Sequence, residues 1–186
     1  MILYRKIVAV IGSRRYKNQY MVNDILNKKL GDIDRNEILL LSGGCEGPDM
    51  WGKMWSINHN IPFIEVIPGG TTGKYYFERN GIVSELADSI IAFIPRGQMQ
   101  SGTWNTILYF RTKDIENYDV YDENGNRWDR DWKSRNWTIV EHPGFFGGMR
   151  NELHMKWDEM YRPLHWRLAY VWGESIISRQ MALGLY

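Results

Sequence analysis

Five stretches in the first 111 residues combine glycine or polar side chains in ways that suit anion binding. Gly12-Ser13-Arg14-Arg15 leaves an apolar run. A glycine there lets the backbone turn sharply and approach a ligand. Ser13 offers a hydroxyl, and Arg14 and Arg15 offer planar donors for phosphate or carboxylate; the same four residues also suit a solvated turn. Ser42-Gly43-Gly44-Cys45-Glu46-Gly47-Pro48-Asp49 places three glycines ahead of a proline that can open a helix. Backbone N–H groups at such a junction form an anion site. Asp49 would sit in the first helical turn, where it either complements the helix dipole or accepts hydrogen bonds from a ribose or base. Cys45 reads as a small packing residue, because no histidine neighbours it in sequence.

Pro68-Gly69-Gly70-Thr71-Thr72-Gly73-Lys74 is not a Walker A loop. The first required glycine falls on Pro68, and Tyr75 replaces the hydroxyl residue that would hold magnesium. Its glycines suit a flexible loop or lid, with Lys74 either solvated or reaching an anion. Phe77-Glu78-Arg79-Asn80 offers polar side chains from a helix. Ser101-Gly102-Thr103-Trp104-Asn105-Thr106 again puts a glycine and hydroxyls where a helix begins, with Thr103 as either a cap or a phosphate ligand.

These residues need elements to hold them. Lys6–Ile11, Ile38–Leu41, Pro62–Ile67 and Ser89–Ile94 are short, apolar and rich in β-branched residues, as strands covered on both faces are. Between them lie helical patterns. Met21, Val22, Ile25, Leu26 and Leu30 share a face within 18–30; Met50, Met54 and Ile57 share one after Pro48; Tyr75–Ala87 and the residues after Gly102-Thr103 complete the set. Strand, loop and helix in repetition predict an α/β fold with a parallel sheet flanked by helices. Ligands in such folds bind beyond the carboxyl ends of the strands, which is where the glycine loops fall.

The second half is less regular. Asn124-Gly125 predicts a hairpin turn between Tyr118–Tyr121 and Arg127-Trp128. Trp137–Glu141 reads as a late strand, a possible fifth of the sheet. Glu152–Tyr161 and Leu164–Leu183 read as helices broken at Pro163. Six of the nine tryptophans lie beyond residue 112. Trp128, Trp132 and Trp137 suit a protein interface or stacking on bases or sugars; Trp157, Met160, Trp166 and Tyr170 suit packing. His142, His154 and His165 show no metal-ligand spacing. The expected organisation is a nucleotide-binding core over 1–111 and a Trp-rich α+β elaboration over 112–186.

Composition narrows the class. A chain of 186 residues, 44% apolar and 24% charged, can bury a core and is not a disordered polymer. One cysteine excludes an internal disulfide and a multi-cysteine zinc site. No apolar run approaches the ~20 residues of a bilayer span. A cytoplasmic protein with neither cofactor nor metal is the expectation. The formal charge of +1, and −2 over 112–186 (10 Lys/Arg against 12 Asp/Glu), argue against nucleic acid as a partner.

In their order, GSR, SGGCEGPD, FERN and ADSIIAFIPRGQMQSGTWNTI resemble the SLOG superfamily, over roughly residues 5–111. That group includes the DprA/Smf DNA-processing proteins, the LOG-type nucleotide phosphoribohydrolases and small stand-alone YspA/YpsA-like proteins, and the stand-alone type is the nearest likeness. The resemblance implies a Rossmann-like fold binding a nucleotide or nucleotide-derived molecule. It implies Gly12, Ser13 and Arg14 in the first loop, Gly43, Gly44, Gly47 and Asp49 in the second, Arg79 and Asn80 from the helix, and Gly102 and Thr103 on phosphate. The LOG pattern PGG-x-GT-x-x-E is incomplete: its glutamate position is Thr106, and the PGG at Pro68–Gly70 lies one strand too early.

Binding of a nucleotide-derived small molecule, in a chain that associates with its own copies, is therefore the first expectation. Hydrolysis of a nucleotide N-glycosidic bond is the alternative, with Asp49, Glu78 and Arg79 as the candidate catalytic groups. DprA-like binding of single-stranded DNA ranks third.

Overall fold

The computed structural model describes residues 6–68, 70–98, 101–111, 117–128 and 168–171. In chain order the elements are β1 (Lys6–Gly12), α1 (Gln19–Leu30), β2 (Ile38–Ser42), α2 (Pro48–Asn58), β3 (Phe63–Val66), α3 (Gly73–Leu86), β4 (Ser89–Phe93), α4 (Gly102–Arg111), β5 (Tyr118–Tyr121) and β6 (Leu168–Val171). One six-stranded sheet runs in the order β5-β4-β1-β2-β3-β6. The first five strands are parallel, and β6 pairs antiparallel with β3.

Side chains of a strand alternate between faces, so this sheet has two cores. Ala9, Ile11, Leu39 and Leu41 face α3 and α4 through Ile82, Val83, Trp104 and Ile107. Val8, Val10, Leu40 and Phe63 face α1 and α2 through Val22, Leu26 and Trp55. The apolar runs are continuous because both faces are covered, as parallel strands require. Local chemistry sets the helix ends. The Asn18 side chain caps α1 by accepting from the Met21 N–H, and Pro48 opens α2, where its missing N–H costs nothing.

Several expectations are corrected. Met50 and Met54, read with Ile57 as one apolar face of α2, are 46% and 49% exposed; α2 turns Trp55, Gly52 and Ser56 inward instead. Gly52 allows this, since a Cβ there would lie 2.6 Å from Val10 Cγ1. The fifth strand in chain order is Tyr118–Tyr121, not Trp137–Glu141, which lies outside the described residues. Residues 168–171, placed in the Leu164–Leu183 helix by sequence, form β6. Leu-Ala-Tyr-Val suits either state, and the open edge of β3 supplies the hydrogen-bond partners that decide. The sheet thus takes two strands from beyond residue 111.

The Asn124-Gly125 turn is present, with Gly125 at φ 79°. It returns the chain only to a single antiparallel bridge, Tyr121 to Arg127. Asp122 fixes it, its carboxylate accepting from the Asn124 and Asn126 N–H groups, each at 2.9 Å. Trp128 packs edge-on against Trp104, ring centroids 5.4 Å apart, and donates to the Ile94 carbonyl. It is therefore partly a core residue. Trp132, Trp137, Trp157, Met160, Trp166, the helix expected over Glu152–Tyr161 and the histidines 142, 154 and 165 lie outside the described residues, as does the Tyr170 side chain.

Candidate functional site

The chain builds β1, β2 and β3 outward on one side, then returns to add β4 and β5 on the other. The sheet's order reverses between β1 and β4, and the loops beyond their carboxyl ends diverge to leave a crevice. A cavity of about 340 Å³ opens there. Its wall draws on the turn after β1 (Gly12 to Arg15), the loop after β2 (Gly43, Cys45), α2 (Asp49), α3 (Tyr76, Arg79, Asn80), the loop after β4 (Gln98, Ser101) and the start of α4 (Gly102, Thr103, Thr106).

Asp49 is 4% exposed. One carboxylate oxygen accepts from the Gly12 N–H at 2.8 Å, and the other from the N–H groups of Gly43 at 3.2 Å and Cys45 at 3.4 Å. It ties the first and second loops to α2. Burial raises its pKa from 3.8 to about 6, against the opposing pull of Arg79 and the three backbone donors. Because the carboxyl is harder to ionise in the fold than in the unfolded chain, its contribution to stability is whole below the unfolded value and is lost as the pH rises through about 6. Stability relative to the Asp49→Asn variant should fall by about 2–4 kcal/mol between ~pH 4 and ~pH 7. Urea unfolding at a series of pH values checks this, and a gap that stays constant or widens contradicts the burial argument.

Arg79, 5% exposed, faces Asp49 from α3. Its Nη1 donates to the Gly43 carbonyl, its Nε to Asn80 Oδ1 at 3.1 Å, and its Nη2 meets Cys45 Sγ at 3.3 Å. The Tyr76 ring lies 5.9 Å from the guanidinium. Gly43 makes this fit possible, since a Cβ there would sit 1.6 Å from Nη1. Asn80 carries the link onward, its amide donating to the Gly102 carbonyl at 3.3 Å and to Asn105 Oδ1 at 3.1 Å. Ser13 and Gln98 join the β1 and β4 loops by a 2.7 Å hydrogen bond. The Ser101 hydroxyl accepts from the Trp104 N–H and so caps α4. Gly102 and Thr103 then occupy the first turn, where N–H groups have no acceptor within the helix. Arg14 and Arg15 are exposed at the cavity mouth, with Arg14 Nη2 at 3.8 Å from Cys45 Sγ. That sulfur contact holds the Arg14 guanidinium above its ordinary pKa.

Of the residues read from sequence, Gly12, Ser13, Arg14, Gly43, Asp49, Arg79, Asn80, Gly102 and Thr103 meet at this cavity. Gly47 and Gly44 act behind it. Gly47, at φ 98°, makes the turn into α2, and Gly44, at φ 67°, passes the Glu65 carboxylate, which pairs with Lys53. Glu78 is not in the wall: Tyr76, Arg79, Asn80 and Val83 define the cavity face of α3, and residue 78 falls on the other side of the helix. The described part of Pro68–Lys74 is also absent from the wall. Cys45, read as packing, lies in the wall between two guanidinium groups. Thr106 stands where the LOG pattern has glutamate, and its hydroxyl turns back to the Gly102 carbonyl. The sequence reading missed Tyr76 and Val83, which the helical spacing from Arg79 and Asn80 would have found. It also missed Gln98, for which only the tertiary structure gives a signal; Ser101 belongs to a stretch the sequence singles out.

This sheet order, with glycine turns after β1 and β2 and a polar helix start after β4, is the Rossmann-like α/β arrangement that the sequence predicts. Among solved structures, the chain is similar to DNA processing protein A from Helicobacter pylori, at 17% identity and a TM-score of 0.52, over 80% of this chain and 82% of that one. It is also similar to DNA processing protein A from Streptococcus pneumoniae, at 18% identity and a TM-score of 0.49, over 64% of this chain and 50% of that one, so it spans half of that protein's chain. No family model and no curated protein matches the chain.

One expectation is overturned by this comparison. Net charge argues that a nucleic acid partner is unlikely, yet the Helicobacter pylori protein is described by its single-stranded DNA binding mode. Net charge averages over the whole chain. Residues 1–111 alone carry +3 (13 Lys/Arg against 10 Asp/Glu), and two of their arginines stand at the cavity mouth. Among the described residues, no helix is long and apolar enough to cross a membrane.

Proposed function

We propose that the cavity binds a nucleotide unit, with its phosphate at the start of α4 and within reach of Arg14 and Arg15. One observation carries this reading: first-turn N–H groups at Gly102 and Thr103 and two exposed guanidinium groups share one 340 Å³ cavity at the sheet's reversal point. Ile11, Val83 and Tyr76 give the same cavity an apolar part suited to a base or ribose. The nucleotide is either free or a unit of a single strand. The fold shared with a protein described as binding single-stranded DNA, and the positive balance of residues 1–111, favour testing the strand alongside the free molecule.

Binding is supported over N-glycosidic cleavage. Asp49 is the carboxylate in the described wall, and both its oxygens already hold backbone donors. Calorimetric titration with nucleoside mono- and diphosphates, an ADP-ribose derivative and a short single-stranded oligonucleotide tests the reading; no heat from any of them defeats it. Arg14→Ala should weaken the productive ligand by about 10–100-fold, the loss of one charged hydrogen bond, with the thermal midpoint unchanged.

A further inference from the structure

Asp49 is a carboxylate whose two oxygens are shared between donors from different loops. Gly12 at the end of β1 is held by one oxygen, and Gly43 and Cys45 after β2 by the other. An ionised carboxylate only accepts, and so suits three N–H donors. A protonated one turns one oxygen into an O–H donor that accepts more weakly, so the hold on the N–H groups it faces is reduced. With the residue 4% exposed, little water reaches the weakened bond, and the loop it held is freer to move away.

We propose that Asp49 is a proton-operated latch: ionised, it clasps the loops after β1 and β2 into one cavity wall, and protonated, it releases one of them and lowers the affinity of the cavity for its ligand. The latch rests on the binding reading above for its effect on ligand, but not for its mechanics. Asp49 is a positioning residue here, since it acts through Gly12, Gly43 and Cys45.

The groups around it fit this role. From α3, the charge of Arg79 favours the ionised carboxylate, and its guanidinium also grips the Gly43 carbonyl and Cys45 Sγ, so the second loop is held by both side chains. From the β2 loop comes Cys45, and behind it Arg14 of the first loop. On α2 itself, Lys53 is engaged by Glu65 of β3 at 2.8 Å. The neighbouring β4 has no titratable side chain in Ser89–Phe93. Burial also places the Asp49 transition near pH 6 rather than in the ordinary carboxylate range.

The test uses the full chain and a dinucleotide phosphodiester probe. A phosphomonoester would itself titrate near pH 6 and confuse the readout. If only the ionised form is competent, the apparent Kd should rise about tenfold from ~pH 7.5 to ~pH 5. In ligand-free protein the amide resonances of Gly12, Gly43 and Cys45 should shift together with one midpoint near 6. Cys45→Ala should keep the pH response, which separates Asp49 from the thiol. Asp49→Asn should bind weakly at all these pH values, with a flat profile. If that variant does not fold, the wild-type amide titration decides alone. Amides that do not move between ~pH 5 and ~pH 8, or an affinity that rises on acidification as repulsion between phosphate and the carboxylate would give, overturn the latch. Amides that titrate together while the dinucleotide binds at no pH leave the latch standing and defeat the nucleotide reading.

Discussion

Replacing Arg79 by alanine should cost the protein about 1–3 kcal/mol at neutral pH, the usual penalty when a buried group such as the Gly43 carbonyl loses its charged donor. The guanidinium is the charge that faces Asp49 and the donor to the Gly43 carbonyl, and both are buried or half-buried. Without it, Asp49 has three backbone donors but no opposing charge, so its carboxyl becomes harder still to ionise. The stability loss should therefore be smaller at ~pH 5, where Asp49 can take a proton, than at ~pH 7.5. Lysine should not restore the wild type, since one ammonium cannot serve Gly43, Cys45 and Asn80 from a planar fork. Because Asn80 continues the link to Gly102, ligand binding should be lost with the stability. Urea unfolding at the two pH values gives the result, and an alanine variant within ~0.5 kcal/mol of wild type at neutral pH would remove Arg79 from the framework.

Gly12→Ala should be the other large effect. A Cβ at residue 12 would lie 2.4 Å from both Cβ and Cγ of Pro48 and 3.0 Å from the Phe93 carbonyl oxygen. None of these is the end of a flexible side chain. Pro48 is a rigid ring in the first turn of α2, and Phe93 is the last residue of β4. Relief requires moving α2, but Asp49 in the same turn holds the Gly12 N–H. Overpacking of this kind costs about 1–3 kcal/mol, and here it should also disturb the cavity wall. Nucleotide affinity should fall even where the variant stays folded. Gly73→Ala is the contrast: the nearest atom to its Cβ would be 4.0 Å away, so that change should be neutral or stabilise by about 0.4–1 kcal/mol. Equal losses at the two glycines would refute the steric account.

The parallel strands were legible because covered strands must be apolar on both faces, and Lys6–Ile11, Ile38–Leu41 and Ser89–Ile94 are. The glycine turns were legible because a backbone leaving a strand toward a ligand has few alternatives to glycine. Met50 and Met54 misled because helical spacing identifies a face but not what it meets, and Gly52 lets α2 lie close to β1 on a different side. Glu78 misled because three adjacent polar residues in a helix point in three directions, and only one arc reaches the cavity.

By itself, the sequence determined the alternation of elements, the helix ends at Asn18 and Pro48, and the glycine-bearing loops that line the cavity, because these depend on neighbours a few residues away. Only the tertiary structure decided what those loop residues do. It gave the Asp49 carboxylate three backbone donors, placed the Arg79 guanidinium on the second loop, and made Gln98 the link between the loops after β1 and β4. Those roles join residues separated in sequence by 36, 37 and 85 positions, and a hydrogen bond acts over about 3 Å of space whatever the length of chain between its partners.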